Sequence, residues 1–173
     1  MRPAQLAMAA AAALLAACGV KTALSAGPEP TTGEQTRTEA VVVSIVDGDT
    51  LHARTPGGHD LGRIRILGID APEVAHPPDP AECYADTATD TLSDLAPVGS
   101  TVVLVSDPTQ ADQDSYGRLL RHVDHDGDDV ALELLTAGAA RLYHTEPGIE
   151  RSEAYKSAAE TARERGRGLW GHC

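Results

Sequence analysis

A single change of periodicity constrains the fold of this chain more than any other feature. Three consecutive runs have the character of strands: a β-branched apolar run near 40–46, and stretches near 49–54 and 60–67 in which apolar and polar residues alternate. The spacing then becomes helical near 81–96, placing Tyr84, Ala88, Leu92 and Leu95 on one face, and returns to strand character near 100–106, a short β-branched apolar run, and near 117–123. Three strands, a helix and two strands are the order that a five-stranded Greek-key OB barrel requires, and such barrels bind nucleic acid on an open face. Two further helices are expected near 129–137 and 149–165, each stopped by a glycine, Gly138 and Gly166. The expected class is α+β with a mainly β core: an OB-fold barrel carrying about three helices. Aromatic residues make up only 3% of the chain and Phe is absent, so the core must come from Val, Leu, Ile and Ala.

Three short motifs sit at the ends of these strands. Asp47-Gly48-Asp49-Thr50 joins the first two runs, Asp70-Ala71-Pro72-Glu73 follows the third, and Asp114-Ser115-Tyr116-Gly117-Arg118 leads into the last. Each has an ordinary explanation. Asp-Gly is a hairpin-turn signal, the residue before a proline is driven out of the helical region, and Asp114 with Arg118 is a surface ion pair worth at most about 1 kcal/mol. What those explanations leave over is the order, with Arg65 inside the strand that leads to Asp70. Acids that can gather round a hard divalent cation alternate with arginines that can neutralise a phosphoryl group, which is the equipment of phosphodiester cleavage.

The ordered set, together with Gly168-Leu169-Trp170 near the end, resembles the staphylococcal nuclease (thermonuclease) family over roughly Glu39 to Gly171. The resemblance implies that the carboxylates of Asp49 and Asp70, with the carbonyl of Ala71 and waters, bind calcium, and that Glu73 orients or deprotonates the attacking water. It implies that Arg65 and Arg118 donate to the phosphate oxygens as charge develops, where planar forks serve better than point charges. Tyr116 matches the family's phosphate-touching tyrosine, next to Ser115 where some members carry lysine, and Tyr143 lies near the family's nucleotide-stacking aromatics. The expected activity is calcium-dependent hydrolysis of DNA and RNA, endonucleolytic and leaving 3′-phosphates, by a monomer.

The N-terminal segment reads as a signal peptide. Arg2 precedes an uncharged Ala- and Leu-rich stretch from Pro3 to Ala17, shorter than the roughly 20 residues that a membrane-spanning helix needs. It closes with Leu15-Ala16-Ala17-Cys18-Gly19, which resembles a bacterial lipobox and makes Cys18 the expected lipidation site; the alternative is an ordinary signal peptide with an incidental cysteine. The expected organisation is a leader over 1–18, a Thr-, Pro-, Gly- and Ala-rich tether over 19–38, and one domain over 39–173. The protein would then be exported, either anchored through its lipid on the outer face of the cell membrane or secreted. Cys83 and Cys173 are left as an even pair in an oxidising compartment, read as a disulfide, with two free thiols as the alternative.

Charge argues the other way. From residue 39 onward 11 Lys and Arg face 24 Asp and Glu, a net charge of −13, whereas nucleic-acid binders usually carry a basic footprint. A bound cation and the arginines of the motifs can make a cleft locally positive while the rest stays acidic. The competing reading is a non-catalytic OB module that binds a polyanion or a protein partner at the cell surface. Such a module has no need to keep Asp49, Asp70, Glu73, Arg65 and Arg118 together. A third reading, a calcium-binding lipoprotein without hydrolytic activity, does not need the two arginines. The acidic run 124–129 fails the EF-hand spacing and reads as a solvated turn in which Asp128 or Asp129 caps the following helix.

Overall fold

The computed structural model describes residues 34–173. The leader, Cys18 and most of the expected tether lie outside the described residues. Strand β1 (Arg37–Ile45) is the longest, followed by β2 (Thr50–Arg54), β3 (Asp60–Ile66) and the two-residue β4 (Ile69–Asp70). Helix α1 (Ala85–Leu95), β5 (Thr101–Val105), β6 (Leu119–His125), β7 (Asp128–Asp129), α2 (Val130–Ala137), β8 (Arg141–Leu142), α3 (Ser152–Glu164) and the one-turn α4 (Leu169–His172) complete the chain.

β1 does two jobs because it bends. Its first half pairs antiparallel with β5, from Arg37 opposite Val105 to Val41 opposite Thr101, and its second half with β2. The register shifts between Val42 and Ser44, the bulge that lets one strand turn a barrel corner. Because Arg37 and Thr38 are already paired, the domain starts two residues earlier than the tether boundary read from composition. The order β3-β2-β1-β5-β6 is closed by a parallel pairing of β3 with β6, so the expected five-stranded barrel is formed. Ala40, Val42, Leu51, Ala53, Ile64, Ile66, Val102, Leu104 and Val123 are buried within it.

The helices close the barrel through their apolar stripes. α1 buries Ala85, Ala88 and Leu92, with Tyr84 and Leu95 partly buried against the same core. α2 is capped by Asp129, whose side chain accepts from Ala131 N (3.0 Å) and Leu132 N (3.2 Å), and ends at Gly138 in the left-handed region (φ 71°). α3 contributes Tyr155, the largest fully buried side chain, so the core built from aliphatics has one aromatic centre. Cys83 and Cys173 are bonded, with Cα atoms 6.0 Å apart, tying the approach to α1 to the end of the chain.

The acidic run 124–129 is more than a solvated turn. Asp126 and Gly127 do form the turn, at φ 52° and 95°, which is the positive-φ pair of a type I′ hairpin. Asp124 and Asp129, however, converge on Arg151, whose Nη1 donates to Asp124 Oδ1 (2.6 Å) and Asp129 Oδ2 (2.8 Å), and Arg37 adds a bond to Asp124 (3.2 Å).

Candidate active site

Barrel register brings the motifs together. In the β2–β3 ladder Thr50 stands opposite Arg65, and in the closing β3–β6 pair Arg65 stands beside Leu120. Arg118, two residues before Leu120, is thereby carried to the same end of the barrel as Asp49 and Thr50. The 46–50 turn can approach because residue 48 lacks a side chain: a Cβ there would lie 2.6 Å from Ala71 Cβ and 2.8 Å from Ala88 Cβ. Gly48 is therefore required by close packing against the Asp70 loop and α1, beyond the turn propensity read from the sequence.

The result is a chain of charges. Asp49 is 5% exposed. Its Oδ1 accepts from Thr50 Oγ1 (3.0 Å) and meets Arg65 Nε (3.1 Å), while Oδ2 accepts from Ala71 N (2.9 Å). Arg65 also donates through Nη1 to Ile66 O (2.7 Å) and Ile69 O (2.8 Å) and through Nη2 to Asp70 Oδ1 (3.4 Å). On the other side Arg118 donates through Nε to Asp114 Oδ2 (2.7 Å) and through Nη1 to Thr50 Oγ1 (3.5 Å). Asp114 is itself held by the N–H groups of Tyr116 and Arg118, both at 2.9 Å. Thr50 thus links the two arginines through Asp49, a role that the hairpin reading of its motif conceals.

Counting donors separates the two arginines. A guanidinium has five N–H groups; Arg65 commits one to Asp49, two to backbone carbonyls and one to Asp70. Arg118 commits one firmly, to Asp114, and a second at 3.5 Å to Thr50. Arg118 can therefore present a free fork, while Arg65 chiefly holds the acids in place.

Burial pushes the Asp49 carboxyl up to about 6, opposed by Arg65 and assisted by repulsion from Asp47. An anion so short of compensating charge, with the half-exposed Asp70 beside it meeting only Arg65 among the described residues, suits an added cation. The side-chain donors are all oxygen, the carboxylates of Asp49 and Asp70, with the Ala71 backbone bonded to Asp49, which fits a hard ion completed by water. Among the described residues no three His, Cys, Asp or Glu side chains form a metal-holding group, so an all-side-chain site is not what this arrangement offers. Glu73 is exposed; its backbone N–H and C=O pair with Glu82, leaving its carboxylate outside this hydrogen-bonded chain.

Arg65, Arg118, Tyr116 and Tyr143 line one cleft of about 480 Å³. Tyr116 is 83% and Tyr143 53% exposed, and the Arg118 guanidinium carbon lies 5.5 Å from the Tyr116 ring centre. His144, Thr145 and Gln110 also line the cleft, and the sequence does not single them out; His144 follows directly on Tyr143, the one signal for it.

Asp107 joins the two walls. Its buried carboxylate accepts from Thr109 N (2.9 Å) and Oγ1 (2.6 Å), meets His122 Nε2 (3.1 Å) and accepts from Glu150 N (2.8 Å). Alongside it the Thr109 hydroxyl, its proton directed to Asp107, lies 3.1 Å from Gly148 O, and Gln110 Nε2 donates to Pro147 O (2.7 Å). The loop carrying Asp114 and Tyr116 is thus fastened to the loop carrying Tyr143 and His144. Burial would raise the Asp107 carboxyl, but these hydrogen bonds outweigh it and hold it below the usual range.

Residues 63–172 match the family model described as staphylococcal nuclease homologue. The chain belongs to that family. Asp49 lies upstream of the matched span, whereas both arginines, Asp70 and Glu73 fall within it. A probable endonuclease LCL3 of Paracoccidioides brasiliensis is 31% identical over 166 residues, covering 75% of this chain and 46% of the relative. Endonuclease YhcR of Bacillus subtilis is 35% identical over 143 residues, covering 76% of this chain and 11% of its own length. An uncharacterized protein of Methanocaldococcus jannaschii is 30% identical over 148 residues, covering 75% and 70%. The chain spans less than half of the two endonucleases, so family membership fixes the domain and leaves the whole protein's activity to be inferred from the site.

Proposed function

We propose that this domain is a calcium-dependent nuclease that hydrolyses phosphodiester bonds of DNA and RNA endonucleolytically, leaving 3′-phosphates. The observation that carries the reading is Arg118: a guanidinium fixed by Asp114, linked through Thr50 to the buried Asp49, with N–H donors free in a cleft flanked by two exposed tyrosines. A phosphate seated there would accept two parallel bonds from one planar fork, which strengthen as its oxygens gain charge. Arg65 would hold Asp49 and Asp70 in register and contribute its remaining donor. Asp49, Asp70 and the Ala71 carbonyl would hold calcium, which when bound supplies positive charge beside the phosphate. Glu73, exposed and free of side-chain commitments, would take a proton from the attacking water, and Tyr116 and Tyr143 would flank the substrate.

Upstream, the Leu15-Ala16-Ala17-Cys18 sequence supports an exported lipoprotein anchored through Cys18, with the domain acting as a monomer at the outer membrane face. An unmodified mature N-terminus downstream of Cys18, found by mass spectrometry, would remove the anchor from this account. The enzymatic reading is tested by incubating the purified protein with single-stranded DNA, duplex DNA and RNA in calcium or magnesium and analysing product ends. The expected result is calcium-supported cutting with 3′-phosphate ends, and weaker support from magnesium, which holds its waters more tightly. Calcium-dependent binding of nucleic acid without any cutting would favour the non-catalytic module.

A further inference from the structure

Building on the nuclease reading, we propose that the cleft continues into a second phosphate-backbone site. It is formed by Arg141, Lys156 and Arg163 around Trp170 and holds the nucleic-acid strand beyond the scissile bond. The surface is continuous. Tyr143, His144 and Thr145 line both the cleft and an adjoining groove of about 230 Å³. Leu142, His144 and Lys156 are shared between that groove and a third concavity of about 320 Å³ that ends at Trp170. In the β4–β8 ladder Arg141 stands directly opposite Asp70; cross-strand partners of this kind share a face, so the second site begins beside the acids of the first.

Its charge runs against the rest of the molecule. The domain carries −13, yet this concavity collects three cationic side chains and one acid, Glu160. Among the described residues Arg37, Arg65, Arg118, Arg121 and Arg151 are ion-paired, whereas Arg141, Lys156 and Arg163, like Arg54, Arg63, Arg165 and Arg167, make no ion pair; what sets these three apart is that they line one concavity. Lys156 and Arg163 are exposed, and nothing in an acidic protein prevents carboxylates from being placed against them. The Arg141 and Arg163 guanidinium carbons lie 5.9 and 5.7 Å from the Trp170 ring centre. Stacking on an indole steadies a guanidinium without consuming its in-plane N–H donors, which leaves them available to phosphate oxygens. Unpaired cations beside an aromatic surface, in line with a cleft, are how single strands are tracked without regard to sequence. A merely structural role, pinning α4 to α3 through the stacked indole, would use Arg141 and Arg163 but would not need Lys156.

Trp170 is the only tryptophan, so its fluorescence reports on this site alone. The full chain, with calcium, is titrated with phosphorothioate-linked single strands of about twelve nucleotides, within the range that one OB fold spans, and with a dinucleotide. The long strand should shift Trp170 fluorescence and the dinucleotide should not. The K156A/R163A double variant should bind the long strand at least fivefold more weakly, lose much less affinity for the dinucleotide, and show a log-log salt slope shallower by about 1.4, two single-strand contacts at about 0.7 each. K156R/R163K should restore both. Unchanged long-strand affinity and slope in K156A/R163A, or bound long strand with unmoved fluorescence, overturns the second site. Cutting of unmodified DNA and RNA is measured in parallel, so its failure would count against the nuclease reading separately from these binding results.

Discussion

Asp107→Asn tests whether the cleft depends on the buried clamp beneath it. The substitution keeps shape and removes charge. Oδ1 serves Thr109 N and Oγ1, and Oδ2 serves His122 Nε2 and Glu150 N. An amide has one acceptor oxygen, so it can serve the backbone N–H of Thr109 or that of Glu150 but not both, while the Thr109 hydroxyl and the His122 ring can adapt to its NH2. One buried N–H then loses its acceptor, at about 1–3 kcal/mol, and every bond that survives falls from the charge-assisted to the neutral range. Together these losses give an expected destabilisation of about 3–5 kcal/mol. For a domain of this size that lowers Tm by roughly 10–15 °C. The consequence should reach the cleft, because Thr109 and Gln110 hold the loop of Gly148 and Pro147: KM should rise more than kcat falls in the variant that remains folded. Urea melts and steady-state cleavage assays measure both. A stability loss below about 1 kcal/mol, or an unchanged KM, would refute the clamp.

Four further outcomes follow from the same geometry. C83S/C173S should lose about 4–5 kcal/mol on the chain-entropy account, since the bridge closes a loop of separation 90; equal melting of the wild type with and without reductant would contradict this. Gly48→Ala should cost about 1–3 kcal/mol by overpacking against Ala71 and Ala88 and weaken calcium affinity, read by calorimetry. Thr50→Val should cost about 1–2 kcal/mol through an unmet partner for Asp49 and lower turnover with little change in KM. Finally, stability should fall in acid. Asp107, Asp114 and Asp124 are held below the usual carboxylate range by their hydrogen bonds and arginines, so the unfolded chain takes up protons first below about pH 4. Burial likewise keeps His122 from protonating, which removes stability below about pH 6.5, while the Asp49 carboxyl, raised to about 6, takes its proton first in the folded state and returns stability over the same range. In calcium-free buffer the net change above about pH 4 should be small, and His122→Gln should turn it into a gain on acidification.

The barrel was legible because its strands are short β-branched or alternating runs bounded by turns and its helices carry both stripes and stops. Asp129 as cap and Gly138 and Gly166 as stops follow from local chemistry, and the Cys83–Cys173 bond, though it spans a separation of 90, from the count of cysteines left in the domain. What escaped the sequence is two residues long or non-local. β4, β7 and β8 are too short to show a period, and Asp107, His122 and Tyr155 meet only after β5, β6 and α3 have packed. The motif residues announced a site, but its division of labour did not appear there. Arg65 and Arg118 look equivalent in the sequence; the backbone carbonyls of Ile66 and Ile69 make them different. The arginines and tyrosines line one cleft and the acids gather behind Arg65, while Glu73 stands exposed without a partner of its own.

The central claim is that Arg118 is the free fork that carries charge stabilisation, and Arg118→Lys tests it most directly. Cleavage of single-stranded DNA is measured in calcium and in excess chelator for the wild type and the variant, alongside their melting temperatures. The wild type should cut only in calcium. Arg118→Lys should melt within a few degrees of it, because the Asp114 pairing survives in part, yet turn over at least about a hundredfold more slowly, as loss of an oxyanion-type donor costs about 3 kcal/mol or more. Near-wild-type turnover by Arg118→Lys, or wild-type cutting that persists in chelator, would contradict the account.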